Sequence, residues 1–563
     1  MKNNEYGLHW IFQKTRGVRL QLMIYTLLVL CIPVLQLTFS YFMKLFIDIA
    51  TGDINISLLY VAFRTVAVVA AGGIVIMINA VLSKWIYGKI ECSLRAELLG
   101  VIFSRRMIDI SKQHTGELLT KLTADVQAVS TCFITMTDNM VGGTASALLA
   151  TIVLFFLNWK IAMILLVLIP LLMFVMGAFN PRIQEASAID KQRDEINRSI
   201  IQENLSRIML IKTYFMQGKT IEKVNRTYED KLKSGMILGV WEGFAAFAGT
   251  LFGNVMSMVT LGVGTYFVLK GETTVGSLIM IVQLLNYIVT PVSKLSVAIA
   301  QIGQAAASAD RIGAIYTLSA DQESSTVMPV NAVMLLAKDL CFSYSADHEG
   351  GGDQLFNHVN MSFPKGKITG IAGKSGSGKS TLLKLLIGLY TPQAGVVELK
   401  HNTGVVSGEE IMPLTAYVPP SDYLFSGSVS DNIIMSEYEP HYDDLQAAAA
   451  DANIIEFIQS LPQGFDTLIG ESGSTVSSGQ AQRIAIARAI YKKSQIVVFD
   501  EPTANLDADS IEKFQSIVKS LAKDKICIIV THDISTITVC DNVYILENGT
   551  VKESPSTPEP AAV

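Results

Sequence analysis

The chain has 563 residues, half of them hydrophobic, only 17% charged, and a formal net charge of −6 at pH 7. Soluble domains carry about 25% charged residues, and a mean hydropathy of +0.39 is high for one, so an all-soluble protein is excluded and two to four domains are expected. No basic stripe suggests a nucleic-acid partner, and six scattered cysteines without a C-x-x-C pair or histidine cluster argue against a disulfide framework or zinc site.

The first long apolar run is too long for the core of a signal peptide and lacks a small-residue cleavage site, so it is expected to stay as a first span. A spanning helix needs about 20 mostly apolar residues. Six segments qualify: 20–44, 58–83, 136–158, 160–179, 240–269 and 274–297. The second and third, and the fourth and fifth, are separated by long connections rich in Lys and Arg, including Arg95, Arg105, Arg106, Lys112 and Lys121 in one and Arg182, Lys191, Arg193, Arg207, Lys212, Lys219 and Lys223 in the other. With Lys2, Lys14, Arg16 and Arg19 at the N-terminus, this bias puts both termini and both long connections in the cytoplasm. Helix formers dominate the connections and proline is nearly absent, so they read as extensions of the spanning helices with a short turn at each tip. A polar stretch, 315–333, reads as a linker between a membrane domain (1–314) and an α/β domain (334–552), and the proline-rich tail 553–563 is expected to be disordered.

Within the α/β part, GKSGSGKS fits G-x-x-x-x-G-K-[ST]. Gly373, Gly376 and Gly378 let the backbone curl so that its N–H groups, with those of Lys374, Ser375 and Ser377, face phosphate. A helix starting near Lys379 adds its positive end. Lys379 would reach the outer phosphates, and Ser380 or Thr381 would offer a hydroxyl to Mg²⁺ or phosphate. The run Ile496–Phe499 reads as a buried parallel strand. At its end Asp500 would hold Mg²⁺ through water, and Glu501 would polarise an attacking water.

The order of P-loop, VSSGQ, FDEPTANLD and THD resembles the ATP-binding cassette (ABC) transporters, and six spans ahead of one cassette resemble a half-size exporter of that family. The segments HTGELLTKLTADV (114–126), ENLSRIMLIKTY (203–214) and GETTVGSLIMIVQLLNYIVTPV (271–292) resemble its two intracellular loops and sixth span. The resemblance implies a fold of a membrane all-α domain, with six long transmembrane helices extending into the cytoplasm, followed by an α/β P-loop ATPase domain. It implies ATP and Mg²⁺ as cofactors. It makes Tyr344 the ring that stacks on adenine, and Ser477, Gly479 and Gln480 the signature loop that binds the γ-phosphate held by the other cassette. Asp507 becomes the loop crossing between cassettes, and His532 the switch histidine near the γ-phosphate. One chain then completes neither site, so a dimer working by alternating access is implied. The compact length of the chain suggests a bacterial plasma (inner) membrane.

Two positions depart from the family pattern. Pro420 stands where a glutamine usually touches Mg²⁺ and water and links the site to the membrane domain; that role is vacant or passes to Ser421 or Asp422. Ser478 replaces a signature glycine. Slow or weakly stimulated hydrolysis is expected. One weakened site would suit a heterodimer with a second half-transporter, but intact Glu501 and His532 favour a homodimer. For the cargo cavity the candidates are Asp138, Glu242, Gln283 and Asn286. The alternative for the two acids, a solvated or paired place on the cytoplasmic continuation of their helices, stays open. Fusion of spans and cassette favours export, of amphipathic small molecules or peptides, with a lipid flippase and an ATP-gated channel or regulator as alternatives.

Overall fold

The computed structural model describes residues 15–321, 331–344, 354–374, 376–420, 424–435, 441–470, 476–503 and 508–554. It divides into two units, one running to Phe103 and from His114 to Thr317, the other comprising Ser104–Gln113 and the chain from Leu318 onward.

Among the described residues the first unit is built of six long helices: Arg19–Ala50, Leu58–Phe103, Thr115–Leu157, Trp159–Ser206, Gln217–Leu269 and Val275–Tyr316. Four are long and apolar enough to cross a membrane, and Trp159–Leu168 and Val275–Pro291 are shorter apolar stretches of the fourth and sixth. Leu59, Phe63, Val66 and Val81 on the second helix are exposed, as expected of side chains that meet lipid rather than protein. The second to sixth continue or begin well beyond the apolar stretch, so the long connections are largely helical as their composition suggests. Where the third helix gives way to the fourth, the side chain of Asn158 accepts from the backbone of Lys160 at 3.1 Å and Ile161 at 3.2 Å, which caps the new helix.

The composition did not reveal two π-helical turns in the third helix, Lys121–Asp125 and Met136–Gly142. Such turns widen a helix locally and often sit at functional positions. The first presents Asp125, buried, which accepts from Ser308 at 2.9 Å and from Arg311 Nε at 3.0 Å on the sixth helix. The second carries Asp138.

At the other end of the unit, the buried Asp48 carboxylate of the first helix accepts from the backbone N–H of Gly276 at 3.0 Å, in the opening turn of the sixth. A carboxylate there complements the positive helix end. The approach leaves no room for a side chain: a Cβ on Gly276 would lie 2.3 Å from the Asp48 carboxylate and 2.4 Å from the Lys44 carbonyl. Gly276→Ala should therefore cost about 2 kcal/mol through overpacking, read as a lower thermal unfolding midpoint of the purified protein.

In the second unit a four-stranded antiparallel sheet, ordered β2-β1-β4-β5, is formed by β1 (Ala332–Phe342), β2 (Phe356–Pro364), β4 (Ala394–His401) and β5 (Gly404–Ser407). A six-stranded sheet, ordered β10-β9-β3-β8-β7-β6, joins β3 (Ile368–Ala372), β6 (Thr415–Val418), β7 (Ile496–Asp500), β8 (Ile526–Val530), β9 (Asn542–Glu547) and β10 (Thr550–Ser554). All but the β9–β10 pair are parallel. β3, β7 and β8 are buried at every residue, which explains their unbroken apolar runs. β10 reaches Ser554, two residues into the stretch expected to be disordered: its ladder with β9 pairs Tyr544 with Glu553 and Val543 with Ser554.

The tip of the first long connection clusters with this unit rather than with the helices it joins. Arg106 N donates to the Ser319 carbonyl at 3.1 Å and Asp321 N to the Ser104 carbonyl at 2.9 Å. Ser111 meets the Tyr390 hydroxyl at 3.3 Å, and Ile108 packs on a buried core of the cassette.

Candidate nucleotide site

In parallel α/β sheets the ligand edge is the carboxyl end of the strands. Four strands deliver the motif residues there: β3 leads into the P-loop, β7 ends in Asp500 with Glu501 next, β8 leads into Thr531 and His532, and β6 leads into Pro419 and Pro420.

The P-loop turns through Gly378, whose φ of 101° no side chain tolerates well and whose Cβ would meet the Phe356 ring at 3.0 Å. Helix α1 (Lys379–Leu386) starts immediately after it. Lys379 is 7% exposed, and its ammonium folds back and donates to the carbonyls of Gly373 at 2.7 Å and Lys374 at 3.1 Å. The Ser377 hydroxyl is buried with no hydrogen-bond partner. A buried unpartnered hydroxyl, a left-handed glycine turn and a cation held by its own loop fit a phosphate chain. Ser380 is exposed on the first turn of α1, while Thr381 is engaged, its hydroxyl 2.7 Å from that of Tyr344. Tyr344 stands edge-on to Phe342 and Tyr390 with its ring half exposed, leaving a face free for stacking. An open cavity of about 600 Å³ lies beside the loop, lined by Leu355, Lys374, Gly376, Ser377 and Gly549 among others. Ser375 and Asp507 lie outside the described residues, as do Ser421 and Asp422.

Asp500 is almost wholly buried and accepts from the Tyr417 hydroxyl at 2.8 Å. Burial pushes its carboxyl above the usual range; Glu501 adds to the rise, and Tyr417, Lys379 and Lys384 oppose it. A carboxylate completed by nucleotide phosphates is a donor set Mg²⁺ takes in nucleotide enzymes, and a P-loop hydroxyl such as that of Ser380 can join it. Glu501 adopts a left-handed backbone, φ 45°, held by its N–H donating to the Val530 carbonyl at 2.8 Å. Strain of this kind persists where the surroundings impose it, often at working positions. It aims the carboxylate at His532, with Oε1 3.4 Å from Nδ1. The next residue, Asp533, caps a short helix; burial would raise its carboxyl, but hydrogen bonds from Ser535, Thr536 and Thr503 outweigh that and hold it low.

The signature residues form a capping box at the start of helix α2 (Ser478–Tyr491): Gln480 N donates to the Ser477 hydroxyl at 3.3 Å, and Ser477 N to the Gln480 side chain at 2.8 Å. Gly479 lies in the first turn, and Ser478 takes helical backbone with an exposed side chain. Of the membrane candidates, Asp138 accepts from the buried Tyr25 hydroxyl at 2.6 Å. Glu242 and Asn286 are exposed, and the Gln283 carbonyl oxygen is buried without a partner. The structure therefore brings Lys379, Asp500, Glu501 and His532 to one strand edge, but gives Asp138 a partner that is none of the other three cavity candidates.

Residues 22–292 match the model of the ABC transporter transmembrane region and 356–504 that of the ABC transporter cassette. A putative export ATP-binding/permease protein of Rickettsia bellii is 27% identical over 468 residues, 82% of this chain and 80% of that one. An ATP-dependent lipid A-core flippase of Haemophilus influenzae is 25% identical over 519 residues, 91% and 88% of the two chains. A solved bacterial Atm1-family ABC exporter with ATP bound superposes with a TM-score of 0.79 at 21% identity, over 96% of this chain and 95% of that one. The chain belongs to the ABC transporters, with a membrane region and an ATP-binding cassette in one polypeptide. It is a multi-pass membrane ATPase coupled to transport.

Proposed function

We propose that the chain is an ATP-driven exporter of the plasma (inner) membrane that works as a homodimer by alternating access. The observation that carries this is the grouping of Lys379, Asp500, Glu501 and His532 on one strand edge of a chain whose first half is six long helices with membrane-type apolar stretches. On ATP binding, the Lys379 ammonium exchanges the Gly373 and Lys374 carbonyls for phosphate oxygens. Ser380 and Asp500 are the residues that would hold Mg²⁺, which neutralises charge on the phosphates. Glu501 orients the attacking water and accepts its proton, and His532 fixes the glutamate carboxylate. Tyr344 stacks on the base, while Ser477, Gly479 and Gln480 complete the site of the partner copy.

A second copy also has a surface to cover. The tip of the second long connection exposes Ile208, Met209, Leu210, Tyr214, Phe215 and Met216 together. Apolar clusters of this size on a water-facing segment mark contact surfaces. We place both long connections and both termini in the cytoplasm.

For the cargo, the flippase name of the Haemophilus influenzae relative supports a lipid reading beside that of an amphipathic small molecule or peptide. One feature favours lipid: an apolar cavity of about 350 Å³ between the first, second and sixth helices, lined by Ile32, Leu35, Phe39, Val68, Ile76 and Tyr287 among others. Asp138, Glu242, Gln283 and Asn286 are the proposed polar contacts. Asp138→Asn keeps the bond from Tyr25 and removes the charge, and should reduce export of a cationic amphipath such as ethidium by about tenfold while sparing a neutral one. Equal export of both by the variant would remove Asp138 from the cavity.

The test of the proposal is ATP-dependent movement in proteoliposomes with the cassettes facing outward. A fluorescent phospholipid reports flipping, and ethidium reports accumulation against a gradient, each beside Glu501→Gln. Movement that needs ATP and Glu501 supports pumping; ATP-gated leakage down the gradient would identify a channel.

A further inference from the structure

Asp500 receives its hydrogen bond from an unexpected quarter. Tyr417 lies on β6, whose parallel pairing with β7 sets Tyr417 level with Val498, two residues short of Asp500. Two residues of strand span about 6.6 Å, roughly the reach of a tyrosine side chain. Its neighbours Ala416 and Val418 point into the core, whereas Tyr417 is 41% exposed and extends along the edge to place its hydroxyl 2.8 Å from one Asp500 oxygen. A carboxylate rotates through a broad, shallow torsion, so a buried one with no donor has no fixed plane. Beyond Tyr417 the strand runs into Pro419 and Pro420, which contribute no side-chain donor or acceptor.

We infer that Tyr417 is a positioning residue for the metal side of the ATP site: its hydroxyl occupies one oxygen of Asp500 and presents the other toward Mg²⁺, a task on which Pro420 is silent. The inference rests on the reading of Asp500 as the metal-side carboxylate. In this role Tyr417 acts through the orientation of Asp500 rather than through nucleotide or metal. Removing its hydroxyl therefore changes how strongly Mg²⁺ strengthens ATP binding and leaves metal-free binding alone.

The experiment is equilibrium binding of a fluorescent ATP analogue to the full-length protein in lipid nanodiscs, titrated with Mg²⁺ and repeated in EDTA, for the native protein, Tyr417→Phe and Asp500→Asn. In Tyr417→Phe the Mg²⁺ concentration for half-maximal enhancement should rise about tenfold, as for a lost hydrogen bond to a charged group, with unchanged affinity in EDTA and an unchanged thermal midpoint. A native Mg²⁺ response in Tyr417→Phe, with Asp500→Asn responding poorly, overturns the inference and leaves the site assignment standing. Weaker binding of Tyr417→Phe in EDTA, or a lowered thermal midpoint, also overturns it by showing a general structural role. A native Mg²⁺ response in Asp500→Asn shows instead that the site was misread at Asp500.

Discussion

Glu501→Gln should stop ATP turnover and leave ATP bound. Glutamine matches glutamate in shape, so it can take the same left-handed backbone, φ 45°, and keep the bond from its N–H to the Val530 carbonyl. It can also stay beside His532, which lies 3.4 Å from the native carboxylate. What it cannot do is accept a proton from water. General-base catalysis contributes typically 10²- to 10⁴-fold, so phosphate release should fall by at least about a hundredfold. Nucleotide binding, which the proposed site assigns to the P-loop and Lys379, should be unchanged, and with hydrolysis blocked the proposed closed dimer should accumulate. Phosphate release and retention of labelled ATP on one nanodisc preparation measure both. Turnover above a tenth of the native rate would mean that another group takes the proton, and the assignment of Glu501 would fall.

Different parts of this molecule were legible to different degrees, for physical reasons. The six long helices could be read because a lipid environment demands contiguous apolar residues, which leave an unmistakable trace along a chain. The placement of the P-loop after β3 and of Asp500 at the end of β7 could be read because such motifs keep particular residues at fixed spacing over a short stretch. The Tyr417–Asp500 bond could not: 83 positions separate its partners, and they meet only because β6 pairs with β7. The one available signal was the tyrosine itself, the exposed residue between buried Ala416 and Val418. The π-helical turns escaped because one extra residue in a turn alters no composition. The union of Ser104–Gln113 with the cassette escaped because a segment inside a helical connection gives no sign of which unit will hold it. Asp138 was singled out for its charge, yet its partner Tyr25 looked like any aromatic residue in an apolar run.

Lys379→Ala should have the second large effect, and it separates two things the native site does at once. The ammonium is buried and satisfied by the Gly373 and Lys374 carbonyls, so the loop is organised around it before any phosphate arrives. Truncation removes the cation and leaves both carbonyls without their donor. Charge-assisted hydrogen bonds are worth about 1.5–3 kcal/mol each, so ATP affinity should fall by about a hundredfold. In the proposed site the lysine meets phosphate directly, so the loss should appear equally in Mg²⁺ and in EDTA. Tyr417→Phe should instead show its loss only when metal is present. A Lys379→Ala protein that binds normally in EDTA and poorly in Mg²⁺ would place the lysine on the metal side with Asp500. Equal losses in both conditions, beside a metal-limited loss for Tyr417→Phe, would assign phosphate recognition to the P-loop and metal positioning to the β6–β7 pair.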